Sequence, residues 1–112
     1  MNDKNIQIRL GDALELFKEI EDESIDLIIA DPPYNLGKDY GNNNDKLEFN
    51  AYLDFSKQWL SEAHRVLKPT GTMYVFMGVR FISYVFSILE QELNMNLNSW
   101  ICWHYTQGIG KT

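Results

Sequence analysis

The run Ile25-Asp26-Leu27-Ile28-Ile29-Ala30 ends directly on Asp31-Pro32-Pro33-Tyr34, and this junction constrains the fold more than any other feature of the chain. The run shows little alternation of apolar and polar residues, which suits a parallel strand covered on both faces. Proline has no N–H and restricts the residue before it to extended conformations, so two in succession terminate the strand abruptly. A carboxylate, two rings of fixed φ and an aromatic side chain therefore follow at the strand's carboxyl end.

Around this junction the apolar spacing switches between two periods. Ile6, Ile8 and Leu10 alternate with polar residues as in a short strand, and Gly11-Asp12 closes it with turn chemistry. Leu14, Phe17 and Ile20 recur at helical spacing, predicting a helix over residues 13–20 that stops at the acidic cluster 21–24. Residues 35–45, with Gly37, Gly41 and the asparagines 42–44, predict a mobile surface loop. Phe49, Leu53, Trp59, Ala63 and Val66 mark the longest helix, stopped at Lys68-Pro69-Thr70-Gly71. Residues 72–77 predict another strand, and residues 79–93 a helix carried by Ile82, Val85, Phe86 and Leu89. The aromatic stretch 99–105 predicts a third strong strand, and 108–112 a loop. This alternation implies an α/β fold with βαβ crossovers, a mostly parallel sheet and helices on its faces. Ligands of such sheets bind at the carboxyl ends of the strands.

At 112 residues the chain suits one small domain. Its 45% hydrophobic and 23% charged residues exclude disordered and low-complexity classes. There is no apolar run of about 18 residues and no basic-then-apolar start, which predicts neither a membrane span nor a secretory signal. The single cysteine, Cys102, fits a reducing compartment and argues against a zinc ribbon; no metal site is indicated. Ten Lys and Arg against sixteen Asp and Glu leave a formal charge of −6. That is not the basic footprint of a domain that grips phosphates by itself.

The junction nevertheless offers specific chemistry. The Asp31 carboxylate and the Pro32 carbonyl are two acceptors, the second preorganised by consecutive rings, and Tyr34 adds an aromatic face. Such a set suits a planar group with an exocyclic NH₂, which donates in its own plane and stacks through its face. A flipped-out nucleobase is one. The same residues also suit a plain turn, in which Asp31 bonds local backbone N–H groups.

Asp31-Pro32-Pro33-Tyr34, with Gly11-Asp12 before it and Arg65-Val66-Leu67-Lys68-Pro69-Thr70-Gly71-Thr72 after the long helix, resembles the amino-group DNA methyltransferases. The likeness runs from Ile8 to about Gly110. It implies part of a Rossmann-like sheet, S-adenosylmethionine as cofactor, double-stranded DNA as partner and a role in a bacterial, cytoplasmic restriction-modification system. The aspartate form resembles adenine-N6 enzymes. N4-cytosine relatives usually carry serine at position 31, and relatives that methylate protein glutamine or RNA typically carry asparagine.

By this resemblance Asp31, Pro32, Pro33 and Tyr34 form the catalytic segment: Asp31 and the Pro32 carbonyl accept from the adenine amino group, and Tyr34 stacks on the extruded base. Asp12, Ala13 and Asp31 hold the cofactor, with Asp12 at its adenine ring; an N-cap for the first helix is an alternative role for Asp12. Trp103 packs on the far side of the base, or else lies in the core. Transfer is a direct in-line displacement that needs no metal and no covalent intermediate. His104 and His64 read as surface residues, and asparagines 42–44 as a flexible loop or a DNA contact.

Catalytic blocks at the start of the chain resemble the permuted order, in which the target-recognition region and a glycine-rich cofactor block follow. No Phe-x-Gly-x-Gly segment occurs in the 112 residues. In the family's sheet, the strand ending at Gly11-Asp12 and the strand ending at Asp31 are separated by two strands of that later block. The expectation is an exposed apolar edge, poor cofactor binding, no activity of these residues alone, and self-association unless a second chain supplies the strands. The competing expectation is a non-catalytic remnant or subunit acting as a scaffold.

Overall fold

The computed structural model describes residues 5–35, 47–104 and 106. Its centre is a βαβ unit: β1 (Ile25–Ala30) runs parallel to β2 (Leu67–Val75), and α2 (Phe49–Val66) links them. A short helix, α1 (Ala13–Phe17), precedes the unit, and α3 (Ile82–Ser87) with a π-helical turn (Ile88–Glu92) follows it. No helix among the described residues is long and apolar enough to cross a membrane.

The β1–β2 register runs from Leu27 opposite Thr72 to Ala30 opposite Val75, but Ile25 lies opposite Leu67. Between these pairs β2 spends extra residues in a bulge at 68–71, where Pro69 interrupts no regular ladder. Gly71 is required there by close approach. A Cβ on it would lie 2.6 Å from Leu67 Cδ1 and 2.9 Å from the Asp26 carbonyl oxygen. The segment expected only to stop the long helix is therefore already the start of the next strand.

α2 begins at Glu48, whose carboxylate accepts from the Ala51 N–H. Its buried residues, Tyr52, Ser56, Trp59, Leu60, Ala63 and Val66, recur every three or four positions and form one stripe. Trp59, Leu60 and Ala63 meet Val85 and Ile88, with Ile28, Ala30, Met73 and Val75 from the sheet and Leu14 and Phe17 from α1 packed around them.

All these contacts lie on one face of the sheet. With a period of two along a strand, Leu27 and Ile29 point the other way and are 52% and 65% exposed, as is much of Tyr74. The expected α/β class and parallel pairing are present. Cover on both faces is not, because no described element packs on the Leu27 and Ile29 side.

Two expected strands are absent among the described residues. Residues 6–10 pair with nothing, and Ile8 and Leu10 are almost fully exposed. A cleft of about 620 Å³, lined in part by Arg9, Leu16, Ile20 and Ile25, borders both this segment and β1. Residues 99–104 are likewise not a strand, and Trp100, Ile101 and Trp103 are exposed. In both cases alternation and β propensity are present, but a strand forms only against a partner's ladder. The first helix ends at Phe17 rather than residue 20, and the last begins at Ile82 rather than 79. Residues 36–46, including asparagines 42–44, together with Tyr105 and residues 107–112, lie outside the described residues.

Candidate functional site

The parallel ladder delivers Asp31 to a defined place. The Phe76 N–H donates to the Ala30 carbonyl at 2.9 Å, one step beyond β2, so pairing holds up to the residue before Asp31. The two prolines then turn the chain back, and the Tyr34 hydroxyl donates to Asp31 Oδ1 at 2.5 Å. Asp31 is exposed, while Pro32, Pro33 and Tyr34 are partly buried. The turn thus sets a carboxylate beside an aromatic ring, with the hydroxyl engaging one carboxylate oxygen.

Two residues not singled out from the sequence hold this turn from either side of Tyr34. Tyr52, fully buried on α2, donates its hydroxyl to the Pro33 carbonyl. Its ring packs against Phe81 at 4.5 Å between centroids. Asn35, expected to open a surface loop, is instead buried at 5% exposure, with a φ of 61°, in the left-handed region that asparagine tolerates better than most residues. Its Nδ2 donates to the Leu47 carbonyl at 2.7 Å and its Oδ1 accepts from the Leu47 N–H at 2.8 Å, imitating a backbone pair across residues 36–46. Tyr52 gave no separate signal, because its position on the apolar stripe of α2 reads simply as core. Gly78 packs its backbone beside Tyr34, since a Cβ there would lie 3.7 Å from Tyr34 Cβ.

Asp12 takes the role of helix cap. With extended backbone, it accepts from the Leu14 N–H through Oδ1 at 2.8 Å, and its carbonyl accepts from the Glu15 and Leu16 N–H groups. It is exposed, as is Ala13. The other end of α1 is held by Arg65 of α2, which donates to the carbonyls of Phe17 and Ile20 and pairs with Glu62 and Asp22. The hydrogen bonds of Glu62 and then Asp22 push the Arg65 pKa further above its ordinary value, so this tether keeps its charge at any accessible pH. Asp12 and Asp31 thus lie at the start of α1 and just beyond the end of β1, with no hydrogen bond between them.

Trp103 is 75% exposed rather than in the core, and its ring lies 6.2 Å from that of Phe76. Because Phe76 also binds Ala30, Trp103 reaches the end of the sheet where Asp31 emerges. His64 and His104 are exposed, as the sequence suggested.

Chemically, a carboxylate and an adjoining aromatic ring at a parallel strand's carboxyl end can receive a planar amine. Comparison with known proteins shows the family to which the chain is similar. The family model described as DNA methylase matches residues 25–112. The chain is 63% identical to the type II methyltransferase M.HpaI of Haemophilus parainfluenzae over 102 residues, covering 91% of this chain and 32% of that protein. It is 42% identical over 92 residues to the type II methyltransferase M.BamHI of Bacillus amyloliquefaciens, covering 81% and 21%. With the DNA adenine methyltransferase YhdJ of Escherichia coli (strain K12) it shares 36% identity over 95 residues, covering 85% and 32%. Among solved structures, the cytosine-N4-specific PvuII DNA methyltransferase superposes with a TM-score of 0.55 at 22% identity, over 73% of this chain and 32% of that one, a likeness of fold. The chain spans a third or less of the length of these proteins. It belongs to the DNA methylase family.

Proposed function

We propose that this chain is the catalytic segment of a DNA methyltransferase that modifies the N6 amino group of an extruded adenine. The observation that carries the reading is the pairing of Asp31 with Tyr34 at the end of β1. Asp31 and the Pro32 carbonyl accept the two N–H bonds of the amino group in its plane, drawing the nitrogen lone pair out of conjugation and fixing its direction. Tyr34 stacks on the base, and Trp103 closes on its other face. Base entry replaces the Tyr34 hydroxyl on Asp31 or shares the carboxylate with it. The aspartate at position 31 and the 36% identity to a DNA adenine methyltransferase support adenine over cytosine.

S-adenosylmethionine, when bound, supplies the methyl group. The acidic, exposed Asp12 suits the donor groups at its adenine end: Leu14 engages Oδ1 and leaves the other oxygen for a ring amine. Ala13 adjoins Asp12 at that end, and Asp31 meets the cofactor at the methyl, beside the amine that it holds, while no glycine-rich cradle for the methionine end is present in these residues. We therefore propose that residues 1–112 need the further strands of a methyltransferase sheet, from a second chain or from a longer one, before they transfer a methyl group.

Labelled S-adenosylmethionine and duplex DNA, incubated with this chain alone and then with a second chain bearing a glycine-rich cofactor block, test the reading. Label recovered as N6-methyl-2′-deoxyadenosine only from the mixture is expected. Label on cytosine N4 reassigns the target, and no label in the mixture favours the scaffold reading.

A further inference from the structure

The described residues contain six lysines and arginines. Five are paired with carboxylates: Arg9 with Glu19, Lys18 with Glu15, Lys57 with Glu92, Arg65 with Asp22 and Glu62, and Lys68 with Asp26. Arg80 is the exception among them. In a chain where carboxylates outnumber cations sixteen to ten, an arginine without one is not explained by a shortage of partners. We propose that Arg80 is a DNA phosphate contact that holds the backbone of the strand whose base enters the Asp31 turn. This rests on the methyltransferase reading above and adds the residue that supplies local positive charge to it.

Its placement supports the assignment. Arg80 lies two residues after Gly78, whose backbone packs beside Tyr34. Its guanidinium sits over the Phe81 ring, 5.0 Å from the centroid. Phe81 is fully buried and packs on Tyr52, and the Tyr52 hydroxyl holds the Pro33 carbonyl. The exposed guanidinium is thereby positioned relative to the base-receiving turn through two buried rings. A base rotated out of a duplex brings its flanking phosphates to the rim of the pocket that receives it. A planar fork resting on an aromatic ring keeps its N–H donors free to bind two oxygens of one phosphate.

The test is the salt dependence of binding between a short fluorescent DNA duplex and this chain combined with the second chain bearing a glycine-rich cofactor block. Each phosphate neutralised contributes close to one unit to the slope of log affinity against log salt. Arg80→Gln keeps the stem over Phe81 but removes the charge; the slope falls by about 1 and affinity near ~0.1 M salt falls roughly tenfold. Arg80→Lys keeps the slope. Lys57→Ala, which changes net charge equally but removes a cation already paired with Glu92, also keeps it. Protection from phenylglyoxal, mapped by mass spectrometry on the unmodified protein, gives a readout independent of any variant's folding: duplex DNA shields Arg80 and leaves Arg9 reactive. An Arg80→Gln slope equal to that of Lys57→Ala, an unshielded Arg80, or no duplex binding by the wild-type two-chain mixture at low salt overturns the proposal. The methyl-transfer assay is scored separately, so loss of the Arg80 contact with transfer retained leaves the catalytic reading standing.

Discussion

Asp31, Pro32 and Tyr34 carry their chemistry in their residue types, whereas Tyr52 and Asn35 carry theirs only through position. An aspartate, two prolines and a tyrosine after an apolar run announce acceptors beside a ring by residue type alone. A tyrosine on the apolar stripe of a helix announces only burial. Yet the Tyr52 hydroxyl is what meets the Pro33 carbonyl. Tyr52→Phe leaves that acceptor without its donor and is expected to cost about 1–3 kcal/mol in urea denaturation. A midpoint unchanged from wild type would show that the hydroxyl bond does not anchor the turn. Asp12 illustrates the converse, because its cap bond to Leu14 and its proposed cofactor contact use different oxygens, and neither role displaces the other.

At the scale of elements, the bounds of β1 and α2 follow the sequence, since the apolar run and the helical stripe each end at a clear stop, but the cover on both faces that the unalternating run suggests is absent among the described residues. The register between β1 and β2 did not show in the pattern. Lys68-Pro69-Thr70-Gly71 reads as a helix-terminating turn, and only the pairing of Ile25 with Leu67 reveals it as a bulge inside a strand. Gly71→Ala drives a Cβ against the Asp26 carbonyl and the Leu67 side chain. The expected loss is about 1–3 kcal/mol, with faster hydrogen exchange in β1. Equal exchange rates in β1 would place the strain elsewhere. Residues 6–10 and 99–104 mark the limit of local reading: their patterns describe strands, but the ladders that would hold them are not among the described residues.

For the whole molecule, the face of the sheet that no described element covers is the dominant fact. Leu27, Ile29 and Tyr74 present apolar surface beside a β1 edge that has no partner strand among the described residues, a combination that recruits other chains. The isolated chain is expected to self-associate in light scattering after size-exclusion chromatography. The double substitution Leu27→Lys and Ile29→Lys, at two outward positions, is expected to shift it towards monomer. A wild-type chain that stays monomeric at all concentrations would show that the open face is not adhesive. The negative charge belongs to the same picture: in the proposed reading the Asp31 turn supplies acceptors to a base, and Arg80 is the one arginine without a carboxylate partner among the described residues.

The central claim is that the Asp31 carboxylate orients the amino group that is methylated. Methyl transfer to duplex DNA by the two-chain mixture, measured for wild type and Asp31→Ala, tests it most directly. Removing one preorganised hydrogen-bonding group from a reacting centre costs on the order of a hundredfold or more in rate, so Asp31→Ala is predicted to lose transfer by at least about that factor while still binding DNA. Transfer by Asp31→Ala at the wild-type rate would contradict the account.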